Sequence, residues 1–179
     1  MSPGSFFEDV LDHNAETSHR LPQLGGKCVS LHGHSWRFQV SIGIPELENG
    51  IGVEFGLFKT GFRKWVDAYL DHGTMLGAAD NLVGLLGQDL QNKVFRFGAG
   101  IHAVGEESLA ADLDWPTVEN VATLIERVAT KVLITCDRAP GTWIYQVKVK
   151  ETAVNGVVKT IPAPQTPMIT ALQREWASA

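Results

Sequence analysis

The sequence is poor in cysteine, with only Cys28 and Cys136 among its 179 residues. Two cysteines are too few for a disulfide framework, which argues against a small disulfide-stapled secreted domain. The opening residues, MSPGSFFEDVLDHN, show neither the basic region nor the long apolar stretch of a secretory signal peptide. We therefore expect a cytoplasmic protein with two free thiols.

Long apolar runs and an excess of positive charge are also missing. No apolar run approaches the roughly 20 residues of a membrane-spanning helix, so we expect no membrane partner. The formal net charge is -5, whereas proteins that bind nucleic acid independently of sequence usually carry a basic bias, so we expect no nucleic-acid partner. With 44% hydrophobic and 20% charged residues, the chain is predicted to form one globular domain over residues 1–179.

Two segments alternate apolar and polar residues, as half-buried strands do. The first, HSWRFQVSIGI, places these side chains on one face: Trp36, Phe38, Val40, Ile42 and Ile44. The second, TWIYQVKVKETAV, groups four others in the same way: Trp143, Tyr145, Val147 and Val149. The Asn155-Gly156 pair that follows predicts a type I′ hairpin into VVKTI.

Two segments have helical periodicity instead: FGLFKTGFRKWVDAYL and WPTVENVATLIERVATKVLI, the latter with Thr117 as its N-cap. Between them, residues 77–113 are interrupted by glycines, and we predict only a short helix in NLVGLLGQDL and a strand in KVFRF. The order strand, helix, helix, strand, strand predicts an α+β fold, an antiparallel sheet with two helices on one face.

A pair of histidines opens the first predicted strand. His32 and His34 are two residues apart, so they share the buried face with Trp36. Two imidazoles converging at a strand start suit zinc, and a catalytic zinc needs a third protein ligand. His19 is the nearest candidate, but His13 and His102 fit equally well on spacing alone. Taken by itself, an HxH pair is more often structural than metal-binding.

Three further residues have side chains suited to proton transfer. Cys28 precedes His32 by four residues, and a nearby cation would favour its thiolate, which could act as base or nucleophile. The alternative is an inert, buried thiol. Asp71 and His72 follow a predicted helix end, where a carboxylate can orient an imidazole for proton transfer. Considered alone, the pair is better explained as a solvated helix terminus.

Glu151 continues the apolar face of the second predicted strand. A carboxylate that faces inward is costly unless it is paired. Its partner could be a protein cation, or a ligand with two adjacent N–H donors such as the edge of a pterin or guanine. The alternative is that the strand twists and leaves Glu151 in solvent, and the residues alone favour neither interpretation.

Six motifs occur in one order: AETSHRLP, CVSLHGHSW, VEFGLFK, LDH, PTVEN and VKVKET. In these motifs the sequence resembles the 6-pyruvoyltetrahydropterin synthase family, and within it the 6-carboxytetrahydropterin synthases of the queuosine and 7-deazaguanine pathway. The resemblance covers roughly residues 6–76 and 115–154. It implies the tunnelling fold (T-fold), in which antiparallel strands of several subunits form a barrel, and a homohexamer with active sites at subunit interfaces.

The resemblance also implies a role for each matching residue. The zinc ligands would be His19, His32 and His34, and the catalytic residues Cys28, Asp71 and His72. Glu151 would anchor the pterin, with Thr117 and Glu119 near it. The implied reaction converts 7,8-dihydroneopterin triphosphate to 6-carboxy-5,6,7,8-tetrahydropterin, releasing acetaldehyde and triphosphate. Formation of 6-pyruvoyltetrahydropterin and a non-catalytic pterin-binding module are the alternatives.

Three departures from the family pattern stand out. Glu54 replaces the usual Asp, which predicts a poorer helix cap. An insertion of about residues 77–113 could be a lid, an altered pocket or a subunit contact. Lys93, Arg96 and His102 in it are candidate triphosphate contacts, although a solvated loop is the favoured interpretation. A proline-rich C-terminal extension covers about residues 162–179.

Overall fold

The computed structural model describes residues 5–164, which form a six-stranded sheet with two long helices on one face. The strands are β1 (Phe7–His19), β2 (His32–Ile44), β3 (Gly73–Gly77), β4 (Val94–Phe97), β5 (Trp143–Lys150) and β6 (Gly156–Thr160). The helices are α1 (Phe55–Tyr69), α2 (Leu82–Leu86) and α3 (Val118–Leu133). This arrangement confirms the predicted α+β class. None of the helices between residues 5 and 164 is long and apolar enough to cross a membrane.

The sheet is mixed, with the order β4-β3-β1-β2-β5-β6. The predicted antiparallel pairing holds for β1, β2, β5 and β6. In contrast, β3 runs parallel to β1, and β4 runs parallel to β3. The difference arises because α1 and α2 return the chain across the sheet before each of these strands, and such crossovers give parallel neighbours. The sequence pattern predicted that a helix ends near Asp71 and His72, but it did not predict the strand β3 that follows.

The longest pairing joins β1 to β2 over thirteen residues of each strand. It runs from Phe7 opposite Ile44 to His19 opposite His32. The predicted inward face of β2 is confirmed, since its five apolar members are at most 1% exposed. This face packs against both long helices in one hydrophobic core. The pairing therefore fixes the start of β2 against the end of β1.

The β5–β6 hairpin is confirmed, but two of its details differ from the prediction. A register shift beside Ser41 and Ile42 of β2 brings Ile144 onto the buried face, while Trp143 and Tyr145 are only half-buried. The turn is not type I′, because that turn needs positive φ angles and none of the residues 151–156 has one. Thr152 closes this longer loop by accepting the Asn155 N–H at its hydroxyl, 2.9 Å away.

Both long helices begin at a side-chain cap. Glu54 accepts the N–H groups of Gly56 and Leu57, so it caps α1 despite being the rarer choice. Thr117 accepts the Asn120 N–H at 3.3 Å, which confirms it as the N-cap of α3. The buried stripes match the predicted periodicity: Phe58, Phe62, Trp65 and Val66 on α1, and Val121, Ile125 and Val128 on α3.

Part of the segment 77–113 packs against the core, while residues 87–92 are exposed. It contains α2 and β4, and Phe95 and Phe97 of β4 are at most 2% exposed. Glu106 accepts a hydrogen bond from Trp65 Nε1 of α1 at 2.7 Å and also pairs with Lys131 of α3. These contacts explain how a glycine-rich stretch keeps a defined position. Of the predicted C-terminal extension, residues 165–179 lie outside the described part of the chain.

A buried ion pair ties this segment to the residue after His19. Arg20 donates from Nε to Asp80 Oδ2 at 2.7 Å and also from Nη2 to Asp80 Oδ1 and Asn81 Oδ1. The Asp80 side chain is fully buried, and that of Arg20 is 18% exposed. A second bidentate pair, Arg127–Asp112, lies at the surface with Asp112 66% exposed. Hydrogen bonds from Arg127 lower the pKa of Asp112 to about 2, but water screens most of that interaction.

Burial predicts different consequences for breaking these two pairs. Asp80→Ala leaves Arg20 partly buried without its partner, and we expect it to lower the free energy of unfolding by about 3 kcal/mol. Asp112→Ala should cost less than about 1 kcal/mol, because its pair is exposed. Urea denaturation of both variants checks this, and equal losses would contradict the assignment of Asp80 as the structural anchor.

Candidate metal centre

Three imidazoles meet where β1 ends and β2 begins. Their ring centroids lie 4.7 Å apart for His19 and His32, 4.9 Å for His32 and His34, and 5.4 Å for His19 and His34. One ring nitrogen of each lies within 4.8 Å of the other two. His13 instead pairs with Asp67, Nε2 to Oδ1 at 2.9 Å, and His102 is not in the group. The geometry thus selects His19 among the three candidates that spacing left open.

Backbone carbonyls orient two of the rings. His19 Nδ1 lies 3.0 Å from the carbonyl oxygen of Pro116, and His32 Nδ1 lies 2.7 Å from that of Ser30. A carbonyl can only accept, so each Nδ1 must carry the proton, and each neutral ring keeps its lone pair on Nε2. Metal-binding histidines are commonly fixed in this way. The sequence analysis identified neither carbonyl. The one available signal was the motif PTVEN, which begins at Pro116.

The inner nitrogen of His19 has no hydrogen-bond partner among the described residues. Its Nε2 is buried, and the whole residue is 1% exposed. Glu151 Oε1 lies 3.1 Å away, close enough for an ion pair but outside hydrogen-bond geometry. An unsatisfied buried nitrogen is costly, and a metal ion would use its lone pair. The three converging imidazoles could therefore bind a metal ion.

Electrostatics favour the neutral, metal-binding form of these rings. Burial lowers the pKa of His19, although the Pro116 carbonyl and Glu151 oppose the shift. Burial also lowers the pKa of His34, again against Glu151 and with support from the neighbouring His32. Since protonation competes with metal coordination, this environment keeps the lone pairs available near neutral pH.

Glu151 faces the imidazoles rather than solvent. It follows β5 directly, its side chain is 21% exposed, and its Oε1 lies 3.1 Å from His19 Nε2 and 3.9 Å from His34 Nε2. Of the two orientations that the sequence left open, the structure shows the inward one. Its nearest described partners are histidines, and its role as a pterin anchor stays a prediction.

Cys28 lies in the loop that joins β1 to β2. It is in a short 3-10 turn, Gly26–Val29, and is half-buried. Its carbonyl accepts the Leu21 N–H at 2.7 Å, which holds the turn against the residues that follow His19. Its sulfur is not part of the group formed by the three imidazoles. This position separates the thiol from the candidate metal ligands.

Asp71 and His72 form a hydrogen-bonded pair between α1 and β3. Asp71 Oδ2 lies 2.6 Å from His72 Nδ1, and Oδ1 accepts the Glu16 N–H at 2.8 Å. Burial alone would raise the pKa of Asp71, but these hydrogen bonds, with the charges of His72 and Lys93, outweigh it and lower the pKa. The His72 side chain is 80% exposed. The pair is therefore preassembled at the β3 side of β1, with its imidazole facing outward.

The other predicted residues fall into two groups. Thr117 caps α3 directly after Pro116, the residue that orients His19, while Glu119 is exposed in the first turn of the helix. Lys93 Nζ donates to the carbonyl of Asp67 at 2.8 Å and to that of Asp71, and Arg96 pairs with Glu107. Lys93 and Arg96 are therefore engaged within the chain rather than free for a triphosphate.

A pocket of about 560 Å³ opens beside the imidazoles. His34 and Glu151 line it together with Thr152 and two cations, Arg37 and Lys150. Its size is typical of pockets for small molecules. The candidate metal ligands thus adjoin a space large enough for a substrate.

A family model described as 6-pyruvoyl tetrahydropterin synthase matches residues 11–160. The chain belongs to the 6-pyruvoyl tetrahydropterin synthase family. This confirms the resemblance carried by the six motifs, and with it the expectation of an enzyme of the pterin synthase type.

Relatives and solved structures agree with this membership. A Rickettsia conorii protein named 6-carboxy-5,6,7,8-tetrahydropterin synthase is 29% identical over 109 residues, 60% of this chain and 69% of its own. A Synechocystis protein of the same name is 37% identical over 62 residues, 32% of this chain and 48% of its own. The structure of Caenorhabditis elegans 6-pyruvoyl tetrahydropterin synthase matches with a TM-score of 0.58 at 18% identity, covering 90% of this chain and 100% of that one. The predicted T-fold is thereby confirmed for the subunit.

The lowered histidine pKa values predict how stability depends on pH. An unfolded histidine takes up a proton near its usual pKa of 6.5, whereas folded His19 and His34 resist it. The unfolded chain therefore binds more protons below that pH. The free energy of unfolding of metal-free protein should fall as pH drops from 7.5 to 5.5, by up to about 1.4 kcal/mol per pH unit for each histidine.

Urea denaturation across this range measures the slope. His34→Gln should flatten it, while His102→Gln, which changes an exposed ring, should leave it unchanged. A slope that is the same in all three proteins would contradict the assigned environment.

Proposed function

We propose that this protein is a zinc-dependent 6-carboxy-5,6,7,8-tetrahydropterin synthase. It would convert 7,8-dihydroneopterin triphosphate to 6-carboxytetrahydropterin with release of acetaldehyde and triphosphate, in queuosine and 7-deazaguanine biosynthesis. The observation that carries the proposal is the convergence of three imidazoles, one with an unsatisfied buried nitrogen, beside a substrate-sized pocket. The shared name of the Rickettsia and Synechocystis relatives supports the carboxy product.

The metal would be held by His19, His32 and His34. Zinc prefers nitrogen ligands of this kind in a three-protein-ligand catalytic site. When bound, it supplies Lewis-acid polarisation of the hydroxyl groups on the substrate side chain. The carbonyls of Pro116 and Ser30 keep the first two rings in the required orientation.

The remaining site residues would bind the pterin and move protons. Glu151, which lines the pocket, would accept two parallel N–H bonds from the pterin edge. Thr117 and Glu119, at the start of α3, would lie near the pterin. Cys28 would take a proton from the substrate carbon chain as thiolate.

The Asp71–His72 pair would handle protons on the other side of that chain. Asp71 is held ionised by the Glu16 N–H and by His72, and it fixes His72 Nδ1. The opposite ring nitrogen, Nε2, is then free to give or take a proton.

Assembly is part of the proposal, as a cytoplasmic homohexamer with active sites at subunit interfaces. Residues 7–15 of β1 have no strand on the side away from β2 within the described chain, and β6 is the other open flank of the β1–β2–β5–β6 unit. Phe7 and Val10 are 56% and 44% exposed along that edge. Open strand edges with exposed apolar side chains favour pairing with further copies. Size-exclusion chromatography with light scattering tests the hexamer by measuring whether the molar mass is six times that of one chain.

Incubation of zinc-loaded protein with 7,8-dihydroneopterin triphosphate, followed by mass analysis, tests the reaction. Carboxytetrahydropterin and acetaldehyde are expected. A 6-pyruvoyltetrahydropterin product would instead support the alternative reaction of the family. Binding without turnover would favour a non-catalytic pterin-binding module.

Cys28→Ala should abolish turnover while zinc stays bound, because the thiol is outside the group of three imidazoles. Cys136→Ala is the matched control. Its thiol is buried, and burial raises its pKa, so it should not affect chemistry. Activity assays and zinc content by mass spectrometry give the two readouts. Loss of zinc from the Cys28 variant would make that thiol a ligand and overturn its assigned role.

A further inference from the structure

Three cations project from the sheet face opposite the long helices. Arg37 lies on β2, and Lys148 and Lys150 lie on β5, each alternating with residues of the buried face. Arg37 pairs directly with Lys150 across the two strands, and Lys148 pairs with Gln39, one step along. Side chains in directly opposite positions start about 5 Å apart, and like charges in such positions destabilise a sheet.

No described carboxylate compensates these charges. Among residues 5–164, the ion pairs within 4 Å include none of the three cations. Asp12 lines a cavity with all three cations and Glu151 lines one with Arg37 and Lys150, but neither carboxylate lies within 4 Å of them as an ion pair. Asp12 Oδ1 instead accepts from Gln39 Nε2 at 3.0 Å, and Glu151 Oε1 lies 3.1 Å from His19 Nε2. The cluster therefore keeps a net positive charge that a bound anion would neutralise.

The cations belong to the pocket beside the metal centre. β5 ends at Lys150, so residues 33–36 of β2 have no partner strand on that side within the described chain. The gap is the pocket of about 560 Å³, which Arg37 and Lys150 line together with His34 and Glu151. A smaller cavity of about 180 Å³ shares Arg37 and Lys150 and adds Lys148. Positive charge thus continues outward from the candidate metal ligands.

We propose that Arg37, Lys148 and Lys150 form the subsite for a triphosphate, the tail of the substrate in the proposed function on which this inference rests. An arginine can bind phosphate oxygens with two parallel hydrogen bonds, and lysines add point charges. The three cations occupy neighbouring positions on two paired strands, so they can contact more than one phosphate of the same chain. With Glu151 near the imidazoles, the substrate would lie with its pterin inward and its phosphates toward the open face of the sheet.

Calorimetric titration of the zinc-loaded protein with inorganic triphosphate tests the subsite directly. The double variant Arg37→Gln/Lys150→Gln should bind at least about tenfold more weakly than the native protein. Lys59→Gln/Lys64→Gln is the matched control, because it removes the same charge from exposed positions on α1 and should bind like the native protein. Equal weakening in both double variants would reduce the effect to net charge and overturn the proposal.

Steady-state kinetics separate this inference from the function it rests on. Arg37→Gln should raise KM for the pterin triphosphate about tenfold with kcat within about twofold, and Arg37→Lys should recover part of the loss. Unchanged KM and unchanged triphosphate binding, with turnover intact, would refute the subsite and leave the function standing. Triphosphate binding that depends on Arg37 and Lys150 in a protein without turnover would do the reverse. Unaltered thermal unfolding and zinc content ensure that the variants are folded.

Discussion

The register between β1 and β2 is the constraint on which the rest of the structure depends. Thirteen pairs fix the two strands, and the last pair sets His19 opposite His32. The same register puts Trp36 and Phe38 into the core beneath α1 and α3. A slip of one residue would turn both histidines of β2 to the opposite face and expose the core residues. The same pairing therefore contributes to the stability of the fold and fixes His19 relative to His32.

The fold brings groups that are far apart in the chain to the paired strands β1 and β2. β3 returns beside β1, which brings Asp71 to the backbone of Glu16. The start of α3 brings the Pro116 carbonyl to His19. The end of β5 brings Glu151 to the same imidazoles. Each contact is made by an element terminus, where backbone groups and side chains are free of regular pairing. Reactive groups are commonly positioned in this way, at the ends of strands and helices that a rigid sheet holds in place.

Parts of this arrangement could be predicted from local pattern. Alternation placed His32 and His34 on an inward face and left two orientations open for Glu151, and the structure shows all three side chains turned inward. His19 could not be chosen over His13 by spacing, because its position depends on pairing across a loop. The prediction of a type I′ turn was wrong, because the Thr152 hydroxyl closes a longer loop by accepting the Asn155 N–H. β4 was predicted as a strand in KVFRF whereas β3 was not, and the parallel pairing of both strands depends on long-range packing. Alternation along a strand therefore predicts which face a side chain lies on, whereas tertiary contacts determine which residues it meets.

The central claim is that three imidazoles and no thiol bind zinc in this protein. X-ray absorption at the zinc edge measures the coordinating atoms without reference to activity. We expect zinc to be coordinated by three imidazole nitrogens and one oxygen, at about 2.0–2.1 Å. A sulfur shell at about 2.3 Å would make Cys28 a ligand and contradict the separation of thiol and metal. Failure to retain stoichiometric zinc would contradict the metal centre itself.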